Sequence, residues 1–165
     1  MPYAPYTQRQ AILAKLKAMY EAVEPDPVGG PASADPWPFK FSIVREGPLS
    51  EADFRKNYSL GIVPGKERKS DRIHPFIEAD WEIHLEFQAI RNAGDGITPM
   101  QLAEQVLGVI QRVFMHDKRL GGVVIDTKEV GSEIDLETYG DKTIVGVCTV
   151  QVKYRHDIDD TRPTV

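Results

Sequence analysis

Glu78, Asp80, Glu82, His84 and Glu86 recur at every second position, and in an extended chain such positions share one face. Glu82, His84 and Glu86 are residue types that ligate a divalent cation, and two carboxylates facing each other across a cleft are what glycoside hydrolysis requires. The spacing suits neither chemistry. Consecutive outward positions of one strand do not converge on a point, and no aromatic residue lines that face. The remaining reactive types are isolated. Cys148, the single cysteine, stands between Gly146 and Val150 on the apolar side of a strand pattern, where a thiolate is disfavoured, so it reads as core. His156-Asp157 with Asp159-Asp160 offers a second set of cation ligands, or a charged tail. His74, His84, His116 and His156 include no pair at the four-residue spacing of a helical zinc motif. Gly94-Asp95-Gly96 precedes a helix but lacks the Lys-Ser/Thr of a phosphate loop, and Asp95 would repel phosphate. No serine sits in a nucleophile elbow. We therefore expect no catalytic residue, no metal and no cofactor.

The elements that carry these residues are legible from periodicity. Ile77, Ala79, Trp81, Ile83, Leu85, Phe87 and Ala89 alternate with the polar set, which predicts a strand of roughly 45 Å with one dry face. Like charges on one strand face repel, and a cross-strand cation relieves them. The segment itself has no lysine or arginine before Arg91, which points to something outside the fold. Upstream, Thr7 and Gln10 form a capping box for a helix from Gln8 to Val23, with Ile12, Leu13, Leu16, Met19, Tyr20 and Val23 as its apolar stripe. Pro25 and Pro27 stop it. Residues 24–38 hold five prolines and read as an extended connector.

Phe39 to Glu46 alternates as a strand, and Tyr58 to Val63 is a weaker one, interrupted by Gly61. Pro64-Gly65 opens an expected loop from Lys66 to Pro75 carrying Lys66, Arg68, Lys69 and Arg72, either solvated or in contact with a partner. Thr98, Pro99 and Gln101 start a second helix bearing Leu102, Val106, Ile110 and Val113, and Gly121-Gly122 closes that region. Val123 to Val130 predicts a strand, Gly131 to Lys142 a hairpin arm or long loop, and Thr143 to Arg155 the last strand. Asp157 to Val165 reads as a flexible acidic tail. The order predicts an α+β fold, a mainly antiparallel sheet with both helices packed on it, in one domain.

Composition bounds the partners. The 165 residues are 41% hydrophobic and 27% charged, with a net charge of −5. An acidic chain does not neutralise nucleic-acid phosphates, a single cysteine excludes an internal disulfide framework, and no apolar run approaches the ~20 residues of a membrane helix. The amino terminus, Met1 to Tyr6, lacks the pattern of a signal peptide. A soluble protein of a reducing cytoplasm is expected.

Taken in order, the helix Gln8 to Leu16, the proline-containing connector, the long strand, the helix Leu102 to Phe114 leading into Asp117-Lys118-Arg119-Leu120-Gly121-Gly122, and the final strand Val150 to Asp157 resemble the tail terminator (tail completion) proteins of long-tailed bacteriophages. Residues 46–75 fall outside the resemblance. The resemblance implies an α+β subunit without catalytic residues. It would form a homo-oligomeric ring, typically a hexamer, between the tail tube protein and a head-side neck protein. It also implies a place at the head-proximal end of the tail in the virion, assembly in the host cytoplasm, and DNA passing through without specific binding. A neighbouring neck or tail-assembly protein is the alternative, and a small metal-dependent enzyme a more distant one. In such a ring Glu78, Asp80, Glu82 and Glu86 would line either the channel, where an acidic wall does not hold DNA, or a subunit seam opposite basic residues such as Lys66 to Arg72. The channel is the preferred placement.

Overall fold

Both helices open on the capping boxes that the sequence predicts. Thr7 Oγ1 accepts from Gln10 N at 3.1 Å while Gln10 Oε1 accepts from Thr7 N at 3.0 Å, starting α1, Gln8–Glu21. Thr98 and Gln101 repeat this at 3.2 and 2.8 Å, starting α2, Pro99–His116, with proline in the first turn. Each box satisfies two amides that a helix start leaves without partners. The computed structural model describes residues 7–73, 76–92, 94–135 and 142–157.

Five strands form one sheet: β1, Ile43–Glu46; β2, Tyr58–Ile73; β3, Phe76–Ile90; β4, Asp126–Asp135; and β5, Thr143–Asp157. Their order is β1-β2-β3-β5-β4. β1 runs parallel to β2, and every other pairing is antiparallel. With α1 and α2 packed on it, this is the expected α+β arrangement.

The dry side of β3 is the expected one. Ala79, Trp81, Ile83, Leu85, Phe87 and Ala89 are fully buried and share one core with Ile12, Leu16 and Tyr20 of α1, Val106 and Ile110 of α2, and Val150 and Val152 of β5. Burying each large apolar side chain contributes about 1.5–3 kcal/mol. Tyr20 also places a hydroxyl in the core, and it donates to the carbonyl of Ile110 at 2.9 Å, so α1 and α2 meet without stranding a polar group. Cys148 is fully buried opposite Leu85. At Gly146 a side chain would collide with the ring of Phe87, its register partner, which is why this core position is a glycine.

Three expectations need correction. Lys66 to Ile73 is not a loop. It continues β2 and pairs with β3 as far as Ile73↔Phe76, with register shifts between Pro64 and Glu67, where the strand bulges, and between Lys69 and Asp71. The stretch has no apolar alternation of its own, and the hydrogen-bonding backbone of β3 makes it a strand. Next, the ladder of the first strand begins only at Ile43. Phe39 and Phe41 are buried before it by ring packing, Phe39 stacking on Tyr58 with centroids 4.0 Å apart and meeting Phe41 edge-on at 5.1 Å. Finally, β4 starts at Asp126, three residues later than predicted, because the amides of Val123 and Val124 bond back to the carbonyls of Leu120 and Arg119 around the 3₁₀ turn at Leu120–Gly122. It then extends to Asp135, so the first part of the expected arm lies in the sheet. The rest of that arm, 136–141, and the tail, 158–165, lie outside the described residues.

The proline-rich connector contains no helix or strand and is held at its far end by α2. Arg112 bonds the carbonyl of Pro36 at 3.3 Å, pairs with Asp35 at 3.0 Å and covers the ring of Trp37 at 3.8 Å.

Candidate functional site

The helices cover one side of the sheet, and the polar residues of β3 lie on the other. Register sets their neighbours. Glu78 faces Arg155, Asp80 faces Lys153 on β5 and Arg68 on β2, Glu82 faces Gln151, His84 faces Thr149, and Glu86 faces Val147. The register thus brings cations from other strands beside Glu78 and Asp80, whereas Glu82 and Glu86 face no cation on either neighbouring strand. Glu78 is the clearest case. It is buried, and Arg155 donates Nε and Nη2 to its Oε1 at 2.8 and 2.6 Å. Asp80, Glu82 and Glu86 remain partly exposed. Asp80 and Glu82 border a depression of about 370 Å³ with Lys66, Arg68 and Gln151.

His84 does not join Glu82 and Glu86 as a cation ligand set. Its Nδ1 lies 3.0 Å from Thr149 Oγ1, and its ring lies against the bulge, where a side-chain carbon on Gly65 would come within 2.7 Å of Nε2. Among the described residues no three His, Cys, Asp or Glu side chains are grouped to hold a metal ion. His156 is buried 3.2 Å from Lys69 Nζ, while Asp159 and Asp160 lie outside the described residues. The thiol of Cys148 is pushed up to about 12 by burial, with the Glu129 carboxylate adding to it, so it is protonated at neutral pH.

One end of the charged face is closed by the segment between β1 and β2. Asp53 accepts from Arg45 Nε and Nη2 at 2.9 and 3.0 Å, and from the amide and hydroxyl of Ser50 at 2.8 and 2.9 Å. The bonds from Arg45 are the largest cause of holding its carboxyl at about 2. Ser59 Oγ then donates to the carbonyl of Asp53 at 2.9 Å, and Gln88 Nε2 reaches the carbonyls of Phe54 and Lys56 at 3.4 and 3.3 Å. Gln88 is therefore fully buried, and the exposed carboxylates end at Glu86.

Of the four basic residues of 66–72, Lys66 and Arg68 border the same depression beside Asp80 and Glu82, while Lys69 lines the cleft against α1. Up to Pro64 the even residues of β2 face the helices, opposite Phe87, Leu85 and Ile83. The bulge reverses the phase, so that Glu67 and Lys69 face them instead, while Arg68 stands opposite Asp80. Arg72 lies in register with Ile77.

This reversal builds a cleft that sequence reasoning missed. Arg9 at the start of α1 lies 4.2 Å over the ring of Trp81 and pairs with Glu67 at 3.6 Å, while Tyr154 donates its hydroxyl to Glu67 Oε1. The cleft has a volume of about 430 Å³. Burial, followed by the Glu67 carboxylate, pushes the Tyr154 hydroxyl far up, so it can donate a bond but cannot act as a base. Only the one-residue shift at Gly65-Lys66 puts Glu67 beside Tyr154, and the sole signal for it was the Pro-Gly pair that reads as a loop. Among the described residues no helix is long and apolar enough to cross a membrane.

No family model matches the chain, and no curated protein matches it. Among solved structures the chain is similar to the sheath/tube terminator of an extracellular contractile injection system, PVC, in its extended state, with 13% identity and a TM-score of 0.42. The match covers 93% of this chain and spans 59% of that one.

Proposed function

We propose that this chain is a structural, non-enzymatic subunit of the tail-terminator type, which assembles into a closed ring at the end of a tail tube. Six copies is the number that the sequence resemblance implies, with the tube protein on one side of the ring, a head-side neck protein on the other, and DNA passing through the bore. Its place is the virion tail. The observation that carries this reading is the unequal covering of the sheet. β2, β3 and β5 run for 16, 15 and 15 residues, about 50 Å each, with both helices on one side and a charged, helix-free wall on the other. Asp80, Glu82 and Glu86 on that wall face the bore in this reading, and the preference for the bore over a subunit seam rests on the low affinity of an acidic lining for DNA phosphates. Glu78 differs from them in being buried and already paired with Arg155.

Weighing the purified protein in solution, alone and with tail tubes, tests the reading. A closed ring of about six 18.5 kDa chains, formed alone or on the tubes, is the expected result. Isolated monomers or a two-fold dimer under both conditions would overturn it.

A further inference from the structure

We propose that neighbouring copies of this chain join through their sheets: the outer edge of β2 beyond β1, residues 63–73, receives β4 of the next copy as an added strand. This rests on the ring reading above and names the contact that closes it.

β1 pairs with β2 only from Ser59 to Ile62. Gly47 then donates its amide to the carbonyl of Ile62 at 2.9 Å and, at a φ of +121° that favours glycine, leads the chain away. Among the described residues no strand pairs with the outer side of 63–73. Pro64 stands at the start of this stretch, and a residue without an amide hydrogen is tolerated on an edge strand. Pro64, Lys66, Arg68 and Lys69 are exposed. At the other end of the sheet β4 pairs only with β5 among the described residues, and its residues 128–133 are all exposed, including Val130 at 53%. A long open edge presents its peptide groups to any strand that can pair with it.

The two edges match in length and differ in sign. Residues 63–73 carry Lys66, Arg68, Lys69 and Arg72 against Glu67 and Asp71, whereas β4 carries Asp126, Glu129, Glu133 and Asp135 against Lys128. Like edges therefore repel and unlike edges attract. A two-fold dimer would pair an edge with its own copy, while a ring pairs one edge with the other, so the charges select the heterologous contact.

Strand direction also agrees. β2 and β5 run one way and β3 and β4 the other, since each joins its neighbour antiparallel. Rotation about an axis along the strands preserves direction, so the β4 of the next copy meets β2 antiparallel. The thicker, helix-bearing side must lie outside, where the circumference is larger, and the charged wall then turns to the bore.

Hydrogen exchange read by mass spectrometry on the assembled ring and on the dissociated chain tests the contact. Peptides covering 63–73 and 126–135 are expected to exchange at least about tenfold more slowly in the ring. The charge reversal Lys66→Glu with Arg68→Glu, at exposed positions, is expected to abolish the ring. Adding Glu129→Lys with Glu133→Lys, the acidic positions of β4 that antiparallel pairing brings nearest to 66 and 68, is expected to restore it. A ring in which neither segment gains protection overturns the edge contact and leaves the ring reading standing. A chain that never assembles overturns both.

Discussion

Arg155 on β5 closes over Glu78 on β3, giving two nitrogens to one carboxylate oxygen at 2.8 and 2.6 Å. The two side chains are unequally placed, Arg155 being 49% exposed and Glu78 11%. Removing the arginine leaves a carboxylate with little access to water, whereas removing the negative charge leaves a guanidinium that is already half hydrated. Arg155→Ala should therefore cost about 1–3 kcal/mol and Glu78→Gln clearly less. Urea denaturation of both variants checks the asymmetry, and equal losses would show that burial of Glu78 does not govern the pair.

Glu82 and Glu86 separate bore from seam. Charges along a water-filled bore are screened within about 8–10 Å, whereas a charge in a closed seam needs a partner. The double substitution Glu82→Gln with Glu86→Gln should leave ring mass unchanged and alter DNA retention or ejection in assembled particles. Loss of the ring in that variant would place these residues at the seam.

Core packing at the centre of the sheet should respond in both directions. Leu85→Ala removes a fully buried side chain between the helices and should cost about 2–5 kcal/mol. Gly146→Ala adds a methyl group against Phe87 and should cost about 1–3 kcal/mol. Thermal unfolding measures both, and a neutral Gly146→Ala would mean that the ring of Phe87 can move aside.

Acid should weaken the segment between β1 and β2 at a defined pH. The Asp53 carboxyl titrates at about 2 in the folded chain, against 3.8 for an ordinary aspartate, chiefly because Arg45 bonds its charged form. The unfolded chain takes up this proton first as pH falls. Its contribution to stability is thus full above about pH 4, declines below that and is gone once pH drops through about 2. Asp53→Asn should lower stability at neutral pH and remove this part of the acid dependence, as pH-resolved denaturation would show.

Local pattern alone determined a good part of this protein. The two capping boxes, the three- and four-residue stripes of α1 and α2, and the alternation from Ile77 to Ala89 each depend on residues a few positions apart, so each could be read without knowing what packs against it. The dry face of β3, the core role of Cys148 and the α+β class follow from the same short-range periods. Pairing between distant segments was not legible. Lys66 to Ile73 lacks a strand pattern and becomes strand because β3 lies beside it. Arg155 meets Glu78 because a register 77 residues long in the chain aligns them. One extra residue at the Gly65-Lys66 bulge turns Glu67 toward Tyr154 and leaves Arg68 opposite Asp80. Register and bulge position come from the summed fit of whole strands, a non-local quantity, and they decide which charges are neutralised within the sheet and which remain along its edges.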